Sequence, residues 1–210
     1  MGDKVLSVRA DGSTFFDEIY MFGHKDMTAE VPFVLLETDG GAALRLTQDH
    51  HLHVQRPHAA AWSVIPASAA KVGDVVLVLR SGQTNTTVSH RIVSKSTVMD
   101  RGLFNPYTLH GSIVVDGVLA SCHSSFALDG LFSLLGVPIA HGYQLVFVPI
   151  RVLYRFLGPV RMASMEFIID AVAEAINTTG ISWISPLLGN LATIVVCLFA
   201  ARTVGSKIAA

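Results

Sequence analysis

Cysteine is nearly absent from this chain. Cys122 and Cys197 are its only two among 210 residues, far apart and in unlike surroundings, so no disulfide framework can be argued. No cysteine precedes Cys122. Chemistry that needs a thiol near the start of the chain therefore lacks its nucleophile. Charge is scarce too: charged residues make up 15% and hydrophobic ones 51%, with a mean hydropathy of +0.51. Typical soluble domains carry roughly 25% charged residues, so this is not the composition of an ordinary cytosolic protein. A net charge of −1 gives no general attraction for nucleic acid, and no such partner is expected. A signal-peptide pattern and a low-complexity linker are both missing.

The apolar excess is uneven. Residues 1–125 hold most of the charge, and 126–210 are dominated by apolar stretches. The first part reads as short strands separated by turns. Lys4-Val5-Leu6-Ser7-Val8 alternates, and Phe33 to Thr38 runs through Asp39-Gly40-Gly41 into Ala43 to Thr47, a hairpin pattern. Val75 to Leu79, His90 to Ser94 and Ser112 to Val115 complete the set. These elements predict a mainly β fold of sandwich or barrel type. A faint duplication runs through them. Gly2-Asp3-Lys4-Val5-Leu6 matches Gly73-Asp74-Val75-Val76-Leu77, and Thr47/His50 is echoed by Thr108/His110, as two related half-domains would show.

Thr47-Gln48-Asp49-His50 closes one apolar run just ahead of Leu52-His53-Val54. A threonine and a histidine so spaced at a strand end can reach one backbone carbonyl together. Histidine, with an ordinary pKa of about 6.5, can both donate and accept protons near neutrality. Phe22-Gly23-His24-Lys25-Asp26 lies upstream; Gly73-Asp74-Val75-Val76, Asn105-Pro106-Tyr107-Thr108 and Asp116-Gly117-Val118-Leu119-Ala120-Ser121-Cys122 follow in order. Taken singly, Thr47 can be a plain β-former at a strand end, and one histidine among nine means little. His51 and His53 alternate away from His50; with no cysteine pair nearby they do not make a tetrahedral metal site.

The ordered set, over residues 2 to about 122, resembles the Hint autoprocessing domain of Hedgehog proteins. The resemblance implies a pseudo-two-fold, horseshoe-like β fold, which would account for the duplication. It implies self-cleavage: a cysteine attacks the preceding carbonyl to give a thioester, and a sterol hydroxyl then displaces the sulfur. Thr47 and His50 match the pair that assists the first step. His24 stands where the family has an aspartate that helps the second. It can still act as a base, or mark a changed acceptor such as water or another lipid. Cys122 matches the family's late cysteine. No cofactor is implied, with sterol entering only as acyl acceptor, and the substrate is the protein's own N-terminal segment.

The family's nucleophile would lie some two dozen residues before Gly2-Asp3. The expectation is a domain lacking its first strand; the alternative is a non-catalytic, membrane-associated β module. Enzymatic activity is left open for that reason. In Leu145 to Leu157, Arg151 and Arg155 share one helical face. That suits a helix lying in a membrane interface or one packed on the β domain. Met162 to Ile176 has helical spacing as well. Ile181 to Ala201 carries no charge, with Trp183 and Arg202 at its ends, and is about long enough to span a bilayer of roughly 30 Å; interfacial and buried placements remain. By placement and apolar character alone the tail resembles the sterol-recognising, membrane-associating region of Hedgehog proteins, and the expected setting is the secretory pathway or outside the cell. The sequons Asn85-Thr86-Thr87 and Asn177-Thr178-Thr179 permit that route.

Overall fold

The computed structural model describes residues 1–80, 86–125 and 128–178. Nine strands form among them: β1 (Lys4–Val8), β2 (Thr14–Thr38), β3 (Ala43–Thr47), β4 (His50–Gln55), β5 (Trp62–Pro66), β6 (Val75–Leu79), β7 (Thr87–Thr108), β8 (Ser112–Val115) and β9 (Val118–Ser124). They join in the order β1-β2-β7-β6-β4-β9-β8, with β3 added to β2 and β5 to β4, every pairing antiparallel. The mainly β reading holds. Period-two alternation explains the short strands: in β3 Leu44 and Leu46 are buried while Ala43 and Arg45 are exposed, and β6 buries Val76 and Val78 in the same way. Leu52, Val54 and Ile92 are wholly enclosed, each contributing about 1.5–3 kcal/mol of burial.

The duplication is visible in the topology. β1 pairs with β2 from Lys4↔Glu18 to Val8↔Thr14, and β6 pairs with β7 from Val75↔Arg91 to Leu79↔Thr87. The two long strands β2 and β7 then run antiparallel to each other from Ile19↔Thr108 to Thr38↔Ile92. Exchanging the halves maps β1-β2-β7-β6 onto itself; the shorter strands depart from it, since β3 joins β2 while β8 joins β9. The Gly-Asp echo falls at equivalent places, ahead of β1 and β6. The Thr/His echo does not. Thr47 ends β3, whereas Thr108 ends β7, where its hydroxyl donates to the Ser112 carbonyl at 3.0 Å and receives the Gly111 N–H at 3.1 Å. Thr108 holds a turn.

Short strands were expected throughout, yet β2 and β7 span 25 and 22 residues. Their pairing breaks register between Phe22 and Lys25 and again between Asp26 and Glu30. Residues 23–28 are exposed on both sides, so no apolar alternation marks the continuation. Polar anchors fix the turns. Gly40 lies beneath the His90 ring, where a Cβ would collide, and His90 is bonded to Asp39 at 2.8 Å. Asp74, 2% exposed, takes Arg56 at 2.7 Å and the Lys71 N–H at 2.8 Å.

The fold divides into two compact units, Asp3–His141 and a second made of Met1–Gly2 with Gly142 onward; the boundary was expected earlier, near residue 125, just before the first helix. In the β unit, α1 (Leu128–Leu134) is tied back to β4 through Asp129. Its carboxylate receives the Ser125 hydroxyl at 2.7 Å and lies 3.2 Å from His51 Nε2. α2 (Ile139–Val146) crosses the divide, and α3 (Val148–Thr178) belongs to the second unit. Gly158 breaks α3 at φ 75°, ψ 170°, followed by Pro159, whose ring and missing N–H end the ladder there. Two helical segments were expected on either side of that point. Among the described residues no helix is long and apolar enough to cross a membrane; the expected span at 181–201 lies outside them, as do Cys197 and Asn85.

Candidate functional site: a pocket holding Thr47, His50 and His24

Thr47 is the last residue of β3 and His50 the first of β4, so the two-residue turn Gln48-Asp49 sets their separation. That turn is pinned on both sides: the Gln48 carbonyl accepts from Ser68 N–H at 2.8 Å and the Asp49 carbonyl from Ser125 N–H at 2.7 Å. Both side chains open onto a pocket of about 110 Å³, whose apolar walls include Phe33, Phe104 and Ile113. His24, Arg45, Asn105, Ser121 and Ser124 supply its further polar lining.

The His50 ring is held at both nitrogens. Nε2 lies 2.8 Å from the Ser121 carbonyl, which can only accept, so this nitrogen carries the hydrogen in the neutral ring. Nδ1 then receives the Ser124 hydroxyl at 3.4 Å. Burial lowers the His50 pKa from its ordinary 6.5; the Ser121 carbonyl opposes that shift, and His51 adds to it. A proton placed on this ring is therefore readily given up. The arrangement suits transfer to a leaving amine.

The structure brings His24 into the same pocket and leaves Cys122 out of its lining. Ser121 and Cys122 are successive residues of β9 and point to opposite faces. Ser121 reaches the pocket. Cys122 is wholly buried, its Sγ 3.4 Å from Thr108 Oγ1, and burial pushes its thiol up to about 11. A thiol so placed is not an ionised nucleophile at neutrality. Asp26, the carboxylate next to His24 in the motif, does not line the pocket either. Its Oδ1 accepts Thr28 N–H, Thr28 Oγ1–H and Ala29 N–H at 2.7, 2.7 and 3.1 Å, bonds that lower its pKa.

Asn105 and Ser121 stand within motifs that the sequence offered without a role for either, and Ser124 belongs to none of them. Ser121 acts through its backbone carbonyl, which no side-chain pattern reveals. The register break opposite Asn105 has no sequence signature beyond Gly23. Among the described residues no group of three or more histidine, cysteine, aspartate or glutamate side chains could hold a metal; His51 is engaged by Ser125 and Asp129.

Residues 1–197 match the family model described as Hint module. The chain belongs to the Hint family. Within it, this Hint domain is of Hedgehog type: it is 34% identical over 131 residues to protein hedgehog of Drosophila virilis, covering 62% of this chain and 27% of that one. It is 32% identical over 200 residues to Sonic hedgehog protein of Danio rerio, covering 91% of this chain and 43% of that one. The domain thus spans between about a quarter and under half of these relatives' length. Among solved structures, the crystal structure of an intein from a hyperthermophile aligns at 12% identity and TM-score 0.46, over 56% of this chain and 70% of that one.

The histidines of β4 give the Hint domain an acid-sensitive strand. Burial, with the nearby charges of His51 and His110, lowers the His53 pKa from 6.5 to about 4. The unfolded chain therefore takes up this proton first. The contribution of neutral His53 is whole above pH 6.5 and is lost as pH falls from there towards 4, by about 2 kcal/mol once its partial exposure is allowed for. His53→Phe should shrink the drop in urea midpoint between pH 7 and pH 5. An unchanged drop contradicts this assignment.

Proposed function

We propose that this Hint domain activates a peptide bond held against Thr47 and His50, so that a cysteine thiol takes over the acyl group as a thioester and a second nucleophile releases it. The observation that carries the reading is the convergence of Thr47, His50 and His24 on one pocket, with the His50 ring fixed by Ser121 and Ser124. In the first step His50 takes the thiol proton at Nδ1, the sulfur–carbon bond forms, the carbon–nitrogen bond breaks, and the amine leaves with that proton, handed on by His50. Thr47 polarises the carbonyl. The attacking thiol belongs to a residue other than Cys122, whose buried sulfhydryl lies outside the pocket lining. Hedgehog-type relatives support taking the substrate as polypeptide ahead of the domain and the setting as secretory or extracellular.

The test is expression with the sequence encoded upstream of Met1 retained and an epitope tag in front. Dithiothreitol should release the tagged segment. Full-length chain persisting in thiol would overturn the reading.

The second unit supports a membrane role. Val148, Val152 and Phe156 recur every four residues of α3 ahead of its break at Gly158 and are exposed, Phe156 at 81%, while Ile150 and Tyr154 are buried. Arg155 is exposed near the stripe, and no acidic residue lies between Asp129 and Glu166. This is the layout of an interfacial helix, which would bring a lipid acceptor such as a sterol to the domain. The full chain should sediment with vesicles containing anionic lipid, and Val152→Ser with Phe156→Ser should cut the bound fraction at least about threefold. Equal sedimentation of the variant contradicts the assignment.

A further inference from the structure

Ser124 and Ser125, the last residue of β9 and the one after it, both reach the turn between Thr47 and His50. Ser124 Oγ lies 3.4 Å from His50 Nδ1, and Ser125 N–H donates to the Asp49 carbonyl at 2.7 Å. The ladder between β4 and β9 ends at His50↔Ser124, so strand pairing does not fix Ser125. Side chains do. Its hydroxyl donates to Asp129 Oδ2 at 2.7 Å and lies 3.1 Å from His51 Nε2, which is itself 3.2 Å from the same carboxylate oxygen. His51, Ser125 and Asp129 thus close a polar triangle, and none of them lines the pocket.

The triangle is enclosed. His51 is wholly buried and the Asp129 side chain is 22% exposed, so water does little to weaken bonds to this carboxylate. Burial lowers the His51 pKa from its ordinary 6.5, and the ring is neutral at pH 7. Its single hydrogen then sits on Nε2, towards a carboxylate that can only accept. Asp129 stands in the first turn of α1 and gathers both donors. Two hydrogen bonds in series therefore join α1 to the turn: Ser125 Oγ–H to Asp129, and Ser125 N–H to the Asp49 carbonyl. That carbonyl belongs to the peptide plane from which His50 departs. Holding the plane holds the direction in which the His50 side chain leaves the backbone.

We propose that Asp129 is a positioning residue for the acyl shift, holding Ser125 against the Asp49–His50 peptide so that Thr47 and His50 meet the scissile carbonyl together. The proposal rests on the thioester reading above and adds a residue to its first step. Asp129 touches no reacting atom; its effect travels through Ser125. Misplacing a reacting group by about 1 Å can cost roughly 100-fold. Here the turn keeps its other anchor, Ser68 N–H on the Gln48 carbonyl, so losing the Asp129 side should cost about tenfold, the worth of one charged hydrogen bond. The first helix after the sheet thereby bears on the pocket without entering it.

The experiment uses the tagged, upstream-extended full chain and follows tag release as dithiothreitol is raised to saturation. At saturation the acyl shift limits the rate; at low thiol the thioester equilibrium sets it. Asp129→Ala should lower the saturated rate about tenfold. It should leave the low-thiol slope within about twofold, because forward and reverse shifts slow alike. A merely loosened fold would lower both. Ser125→Ala, a milder change that keeps the backbone N–H, should show the same loss, and the double variant no further loss. Asp129→Asn, which keeps an oxygen for both donors, should recover most of the rate. Four results would each overturn the positioning role and leave the thioester reading standing: a wild-type saturated rate in Ser125→Ala or Asp129→Ala, slope and plateau falling together, losses that multiply in the double variant, or Asp129→Asn as slow as Asp129→Ala. Wild type resistant to dithiothreitol overturns both.

Discussion

His50→Ala should abolish release of the upstream segment by thiols, slowing it at least about 100-fold, the usual worth of a positioned acid or base. The size follows from the setting of the ring. Its Nε2 lies on the Ser121 carbonyl at 2.8 Å and its Nδ1 faces Ser124 at 3.4 Å, so the imidazole is held in one orientation at the pocket. His51, the next imidazole along, alternates to the opposite face and is held by Ser125 and Asp129. Thr47→Ala should cost less, about tenfold, because it removes one hydrogen bond and no proton. The measurement is the rate of tag release in dithiothreitol, with circular dichroism as the control for folding. Release by His50→Ala within a few-fold of wild type would move the proton source elsewhere in the pocket.

Asp74→Ala should be the most damaging polar substitution in the β unit, lowering unfolding free energy by about 3–5 kcal/mol. Asp74 is 2% exposed and receives both the Arg56 guanidinium and the Lys71 N–H, so its loss strands a backbone donor and a half-buried cation at once. Arg56→Ala should cost a comparable amount, since it leaves a carboxylate enclosed with one bond fewer. The two losses should not add. A double-mutant cycle in urea reads the coupling, and strict additivity of the single effects would show that the pair does not act as a unit.

Much of the β unit was legible because its short strands keep one face dry. Lys4–Val8, Ala43–Thr47, Val75–Leu79 and Ser112–Val115 were read from alternation or turn residues and form as read. β4 and β9 were seen only as motifs. β9 buries Val118 to His123 on both faces, so it shows no alternation, and β4 is written largely in histidine. The middles of β2 and β7 were illegible for the opposite reason: residues exposed on both sides carry no pattern at all. In the pocket, residue type sufficed for Thr47, His50 and His24, where the chemistry is in the side chain. It did not suffice for the Ser121 carbonyl, a backbone group, nor for Asn105 in β7, whose place depends on a bulge in β2, far away in sequence. Cys122 shows the limit of motif matching: identity and order can match while the side chain turns to the far face of its strand.

An acyl–sulfur bond held beside His50 can be captured chemically. The tagged, upstream-extended chain is incubated with biotinylated cysteine, whose thiol exchanges into a thioester and whose amine then locks the product as an amide. The released segment should carry one biotin at its C-terminus, with none released from His50→Ala. Unlabelled, full-length wild-type protein after prolonged incubation would contradict it.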